Sequence, residues 1–446
     1  MKKIRIGSGA GYSGDRLEPA LTLLEKGQLD YICFEGLAER TIALAQKDKQ
    51  DNPSKGYNPL LLYRMEKVLP LAYKNKVRVI TNMGAANPLS AMKDLCKLAS
   101  EKGLKGMKIA AVMGDDIFPQ IEKYRDFPIM ETGEPLASLS DKLLSANAYL
   151  GIAPILEALA AGADVVITGR VADPSLFLAP MIHEFGWSMD DYALLGKGTL
   201  VGHLLECAGQ VSGGYFADPG KKDVPRLWDL GFPFAEVDET GNGFISKVEG
   251  TGGIINIATC TEQLIYEIHD PANYFTPDCI ADFSGVQFVV IDKDQVAFEG
   301  AKGKPPTDTF KVSVGYKNGY FGEGQISYGG TNAYERALLA AEIVKKRLEI
   351  QRLEAEDLQF DFIGVNALFP LKNNPVDLSE VRLRVVGRTK EKAHAQLIAN
   401  EVETLYTNGP AGGGGAFRQV EEVVSVVSIL VPKSDIRATV VVEKIP

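Results

Sequence analysis

The chain has little of what most recognisable catalytic machinery is built from. Its 446 residues hold only five cysteines, four histidines and two tryptophans. Cys33, Cys96, Cys207, Cys260 and Cys279 form no C-x-x-C pair. A disulfide framework or zinc site is therefore not expected, and the thiols read as buried and inert, in keeping with a reducing cytoplasm. No two histidines have metal-ligand spacing. G-x-S-x-G, G-x4-G-K-[ST] and H-E-x-x-H are absent, so serine hydrolase, P-loop NTPase and zincin readings have no support. No window approaches the ~20 apolar residues of a membrane span. The opening residues lack the apolar segment of a signal peptide. There is no long Lys/Arg run, and 58 acidic against 48 basic residues leave a net charge of −10. Nucleic acid is not an expected partner.

What the chain has in excess is glycine: 45 residues, above the usual ~7%. These cluster at the ends of short apolar runs, where backbone can approach a ligand closely. The runs at 3–7, 31–34, 77–81, 108–113 and 165–168 alternate with helical patterns. Five such alternations predict an α/β domain with a parallel, mostly buried sheet and flanking helices. The length calls for more than one domain, and the pattern changes near residue 220. Residues 1–220 read as the ligand-binding α/β domain and 221–446 as an α+β domain. Within the latter, strands at 324–328, 362–369, 381–386 and 420–431 and helices from 332 and 390 give the order βαββαβ, a split-βαβ arrangement. Further strands are expected at 244–248, 286–291, 310–316 and 438–443.

In open α/β sheets ligands bind at the carboxyl edge of the strands, so the candidate residues are those that follow each run. Gly9-Ala-Gly11-Tyr-Ser-Gly14 matches G-x-G-x-x-G, and Glu35 ends the next strand. That pattern can seat a dinucleotide, NAD(P) or flavin, or a single phosphate such as one of coenzyme A; it can also be a tight turn with no ligand. Asn82 and Gly84, with Asn87, follow the third run and could present oxyanion donors, although Asn87-Pro is equally a plain turn. Asp115 and Asp116 follow the fourth run. They could hold Mg²⁺ or act as an acid–base pair, or one could cap the next helix. After the fifth run, Gly169 leaves room beside Arg170, which could clamp a carboxylate or phosphate while Asp173 orients it or acts as base. The plain alternative is that Arg170 and Asp173 pair with each other. His203 and Glu206 stand at i, i+3 on a predicted helix and are an acid–base candidate, against a reading as packing alone. Gly329-Gly-Thr331-Asn332 opens a helix and could bind an anion.

Several of these stretches also carry a resemblance. Gly7-Ser-Gly-Ala-Gly-Tyr-Ser-Gly-Asp-Arg16, Phe34-Glu-Gly-Leu-Ala-Glu-Arg40, Thr81-Asn-Met-Gly-Ala-Ala-Asn-Pro88, Thr168-Gly-Arg-Val-Ala-Asp-Pro-Ser175 and Gly202-His-Leu-Leu-Glu-Cys-Ala-Gly209 together resemble the acyclic terpene utilisation family. Tyr328-Gly-Gly-Thr-Asn332 and Tyr406-Thr-Asn-Gly-Pro-Ala-Gly412 extend the likeness over nearly the whole chain. The resemblance implies a bacterial-type cytoplasmic protein whose relatives are placed in the catabolism of branched isoprenoid acids as coenzyme A thioesters. It supplies no reaction and no agreed catalytic residues. Some relatives carry an extra carboxyl-terminal domain, so a small partner subunit is an expectation here, as is a homo-oligomer.

These readings predict an enzyme that acts on a small branched carboxylic acid or its acyl-CoA thioester by acid–base chemistry, hydration or dehydration foremost. Glu35, Asp115, Asp173 or His203 would move protons and Arg170 would hold the acid. The alternatives are a non-catalytic ligand-binding subunit of a larger complex and an NAD(P)-dependent oxidoreductase.

Overall fold

The short apolar runs become the strands of one parallel core. In the computed structural model, residues 1–369 and 378–446 are described. β1 (Lys3–Gly11) leads through α1 (Glu18–Lys26) to β2 (Tyr31–Glu35). α2 (Glu39–Asp51) and α3 (Leu61–Asn75) lead to β3 (Arg78–Thr81), and α4 (Pro88–Glu101) leads to β4 (Lys108–Met113). β5 (Leu143–Ala148) and α5 (Ala153–Ala160) precede β6 (Val165–Thr168). Strands β1, β2, β3, β6 and β4 lie side by side in that order, and all four pairings are parallel. All five expected strands are present. Val79, Ile80, Val165, Val166 and Ile167 are almost fully buried. Strands covered on both faces read as continuous apolar runs rather than as alternation.

The chain advances one place at a time from β1 to β3, skips a place to β4, and returns to fill the gap with β6. Right-handed crossovers then put the helices before and after the reversal on opposite faces. Side-chain alternation in β2 agrees. Ile32 and Phe34 share a core with Leu23, Met65 and Leu95 from α1, α3 and α4. On the other face, the Tyr31 hydroxyl donates to Glu184 and the Cys33 thiol to the Leu176 carbonyl, both on α6 (Ser175–Phe185).

α7 (Tyr192–Glu206) follows, then β7 (Pro233–Asp238), β8 (Gly243–Lys247), α8 (Ile257–Ile265), β9 (Tyr274–Phe275) and β10 (Ile280–Asp282). Next come β11 (Gln287–Asp292), β12 (Gln295–Glu299), β13 (Lys302–Lys304) and the long β14 (Thr309–Gly329). The chain continues through α9 (Ala333–Ile350), β15 (Glu356–Ile363), β16 (Glu380–Thr389), α10 (Lys392–Glu403), α11 (Leu405–Asn408), β17 (Gly414–Pro432) and β18 (Thr439–Lys444). β7 pairs antiparallel with β1 and β18 with β4. With β8, β12 and β11 they widen the core into a ten-stranded mixed sheet, while β13-β10-β9 form a small separate sheet.

The chain forms two compact units: Met1–Ser140, Leu144–Gly315 and Val426–Pro446 make the first, Asp141–Leu143 and Tyr316–Ser425 the second. Residue 220, where a boundary was expected, lies inside the first unit, because β7, β8, β12 and β11 continue its sheet. The second unit has the strand path β15-β16-β14-β17 with α9 and α10. That is the split-βαβ order expected from sequence, closed over Ile326, Val344, Val385, Ile398 and Val402. The expected strands at 310–316 and 324–328 are one continuous strand, β14. β5, β7, β9, β10, β12 and β13 had no counterpart in the sequence reading, and the strand expected at 362–369 lies earlier, as β15 ending at Ile363. Among the described residues no helix is long and apolar enough to cross a membrane.

Candidate functional site

A cavity of about 780 Å³ opens at the carboxyl ends of β1, β2 and β6. The loop after β1 contributes Gly11 and Asp15, the loop after β2 Glu35 to Glu39, and the loop after β6 Arg170 and Asp173. The end of α7 adds Glu206 and Cys207. Gly11 is required by this convergence. A Cβ there would sit 2.5 Å from the Cys207 carbonyl carbon, so only glycine lets β1 meet the end of α7.

Arg170 is the hub. It is 1% exposed, and its guanidinium lies 4.5 Å from the centre of the Tyr149 ring. Its Nε and Nη2 donate to the Val171 carbonyl at 2.9 and 2.7 Å, Nη1 donates to the Leu37 carbonyl, and Nη2 also donates to Asp173. The reading in which Arg170 and Asp173 pair with each other is the one observed. The guanidinium is spent on protein acceptors, so it anchors charge beneath the cavity rather than reaching out to a substrate acid.

Three carboxyl groups surround this anchor, two of them raised and one lowered. Burial raises Glu35 well above the ordinary carboxylate range, and the charge of Asp173 raises it further against the pull of Arg170. Asp173 is raised by burial, with Arg170 opposing and Glu206 and Glu39 adding to the shift. Glu39 is lowered: burial, which alone would raise it, is outweighed by the hydroxyl of Tyr149, which donates to it, and by Lys311 3.5 Å away. Two carboxyls raised by burial thus face the same cavity as one that is lowered. Such sites are where acid–base chemistry is arranged.

Other expected residues stand behind this layer, outside the cavity lining. Asn82 accepts from the Gly36 N–H at 2.8 Å and donates to Glu35 at 3.1 Å. Its amide is committed to holding Glu35, so it does not act as a free oxyanion donor. Glu35 Oε1 also accepts the Leu37 N–H at 2.7 Å. Asp115 accepts the Arg170 N–H at 3.0 Å and Asn147 at 2.8 Å, and burial pushes it up to about 6. Gly169 lets Asp115 in, since a Cβ there would lie 2.4 Å from its Oδ1. At Gly84 a Cβ would lie 2.5 Å from the Thr168 carbonyl oxygen, so this glycine closes β3 on β6. Asp116 caps the turn at Phe118 and pairs with Lys49 at 3.4 Å. Asp115 and Asp116 therefore serve different partners rather than one Mg²⁺. Among the described residues no group of three or more His, Cys, Asp or Glu side chains gathers to hold a metal.

The glycine fingerprint takes a different shape from a dinucleotide loop. β1 runs on through Gly9 to Gly11, with a bulge at Ser8/Ala10. Gly9 makes room for the Phe34 ring, and Gly14 meets Tyr12. α1 begins only at Glu18. The Gly11 and Arg16 N–H groups, which could cradle a phosphate, donate instead to Asp15 at 2.9 and 2.8 Å. The Asp15 side chain thus takes up these donors itself. Thr331 and Asn332 belong to the second unit, at the start of α9. There their carbonyls accept from Arg336 and Asn332 takes a left-handed backbone.

His203 is 1% exposed and is absent from the cavity lining. Its Nδ1 lies 2.7 Å from Glu206 and its Nε2 3.1 Å from the Leu264 carbonyl.

A family model described as acyclic terpene utilisation family protein AtuA matches residues 4–442. The chain belongs to that family. No curated protein and no solved structure matches it. Within this AtuA-family chain, the three stretches that end β1, β2 and β6 meet at one cavity, and Gly202–Gly209 closes it from α7. At Gly202 a Cβ would be 2.7 Å from Pro174, which explains a glycine inside α7. Glu39 and Tyr149 were not foreseen. Glu39 stands four residues past a strand end on a helix start, and Tyr149 follows the unexpected β5, so neither gave a strand-end signal.

Proposed function

We propose that this AtuA-family chain is a catabolic enzyme that removes water from, or adds it to, a small branched carboxylic acid or its coenzyme A thioester. The observation that carries the reading is the convergence of Glu35 and Asp173, two carboxyls whose hold on a proton burial strengthens, beside Arg170 at a cavity of about 780 Å³. Elimination of water needs a group that gives a proton to the departing hydroxyl at neutral pH. A carboxyl raised toward neutral by its surroundings can do so. Arg170 holds Asp173 by a hydrogen bond, and its charge opposes the rise of both carboxyls. Asn82 and the Leu37 N–H orient Glu35. Arg16, exposed at the rim, is the cation in the lining that remains accessible to the acid or to a phosphate of coenzyme A.

The test is a thermal-shift panel with coenzyme A, branched acyl-CoA thioesters, the free acids, NAD(H), NADP(H) and Mg²⁺. A ligand at a hundred times its Kd adds about 2.7 kcal/mol of apparent stability. A shift with thioester or acid, lost in Arg16→Ala, supports the reading. A shift with a dinucleotide alone overturns it in favour of redox chemistry.

A further inference from the structure

We infer that Glu206, and not His203, meets the substrate in this cavity as its proton acceptor, with His203 as the residue that positions Glu206. The inference rests on the water-elimination reading above and assigns the base that reading leaves open.

His203 cannot touch a ligand where it stands. Its ring is enclosed between Tyr274 and Phe283, with centroids 5.3 and 5.8 Å away. Both ring nitrogens are occupied, one by a carboxylate and one by a backbone carbonyl. A carbonyl only accepts, so Nε2 carries a proton. Nδ1 faces Glu206 Oε1, so a proton there makes the ring an imidazolium paired with a carboxylate. Burial lowers the proton affinity of His203, but the charge and hydrogen bond of Glu206 outweigh it and the net shift is upward. The other titratable groups around the pair are Asp173, Glu35, Cys207, Glu267 and Tyr274. None of them is cationic.

Glu206 does reach the cavity. It lines the wall beside Cys207, and its buried Oε2 takes no hydrogen bond among the described residues. A buried carboxylate oxygen left unpaired is costly, so a group that fills it is expected. A substrate proton supplies that partner. Glu206 thus stands against the His203 ring, while the charges of Glu206 and Glu39 help to raise Asp173.

The step balances. Glu206 Oε2 takes the proton from the carbon next to the substrate carbonyl. The electron pair left behind forms the carbon–carbon double bond as the hydroxyl on the neighbouring carbon leaves, taking the proton of Asp173 as water. Glu206 ends protonated and Asp173 ionised, and exchange with solvent restores both.

Two experiments test this. The first needs no substrate. With four histidines in the chain, ¹⁵N NMR of histidine-labelled protein resolves His203, assigned by His203→Gln. Both its nitrogens are expected to stay protonated above the ordinary pKa of ~6.5 and to lose that state in Glu206→Gln. A neutral His203 ring at pH 7 in the wild type overturns the inference. The second incubates the protein with 3-hydroxyacyl-CoA thioesters in D₂O and reads exchange of the proton next to the carbonyl. Glu206→Gln is expected to slow exchange by about 10²–10⁴-fold, whereas Asp173→Asn blocks water loss and leaves exchange. His203→Gln is expected to move the alkaline limb of the exchange profile rather than KM. Exchange undiminished in Glu206→Gln overturns the base assignment. An imidazolium at His203 with no exchange by the wild type overturns the elimination reading and Glu206's role in it, while the ion pair stands.

Discussion

Removing the Arg170 guanidinium is the most informative single perturbation. Arg170→Met keeps a long side chain but takes away the donors to Val171, Leu37 and Asp173. It leaves Asp173 and Glu35 without the guanidinium charge beneath them. Breaking a buried pair by deleting one partner costs about 3–5 kcal/mol. At roughly 2 °C per kcal/mol, that lowers Tm by about 6–10 °C at neutral pH. The defect also has a sign in pH. Without Arg170 both carboxyls rise further, so the native state binds more protons than the unfolded chain and stability falls as pH climbs from the ordinary carboxylate range. The loss is therefore expected to be smaller at about pH 5 than at about pH 8. The double variant R170M/D173N removes the buried carboxyl left without its partner and should recover much of the loss, a coupling that thermal melts followed by circular dichroism can read. A single variant that loses under about 1 kcal/mol, or a double variant whose losses simply add, would refute the hub role of Arg170.

Three other outcomes follow from the geometry. Gly11→Ala places a methyl 2.5 Å from the Cys207 backbone; it should cost about 1–3 kcal/mol in thermal melts and displace Glu206 from the cavity. Asp115 is pushed up to about 6 by burial, so it takes stability away as pH rises from about 4 to 6, on the order of 2–3 kcal/mol. Asp115→Asn should flatten Tm against pH in that window, and an unchanged slope would show that Asp115 does not titrate there. Mg²⁺ should leave Tm unchanged, because Asp115 and Asp116 are each engaged elsewhere; a rise with Mg²⁺ that vanishes in Asp116→Asn would restore the metal reading.

The core of the fold was legible because strands buried on both faces leave unbroken apolar runs, and Val165–Thr168 is the plainest of them. The same runs pointed to the edge where Glu35, Arg170 and Asp173 meet. What sequence could not show is which groups face the cavity and which face each other. Asn82, Asp115 and Arg170 all follow strands, yet each is consumed by neighbours that are 46, 55 and 3 residues away in sequence. β7 (Pro233–Asp238) carries Glu236 and Asp238 on an antiparallel strand flanking β1, so its pattern lacks the unbroken apolar signature. The boundary near 220 marked a real change from parallel to antiparallel strands, but that change happens within one sheet. The His203–Glu206 pair was visible as i, i+3 spacing. Which member reaches the cavity depends on the packing of Tyr274 and Phe283, far along the chain.

The central claim is that Glu35 and Asp173 supply the proton for loss of water in this cavity. The measurement that tests it most directly is turnover of branched 3-hydroxyacyl-CoA thioesters by the wild type, Glu35→Gln and Asp173→Asn, with melting curves to verify folding. The account predicts elimination by the wild type and a fall of about 10²–10⁴-fold in Asp173→Asn at full folding. Elimination at the wild-type rate in both variants would contradict it.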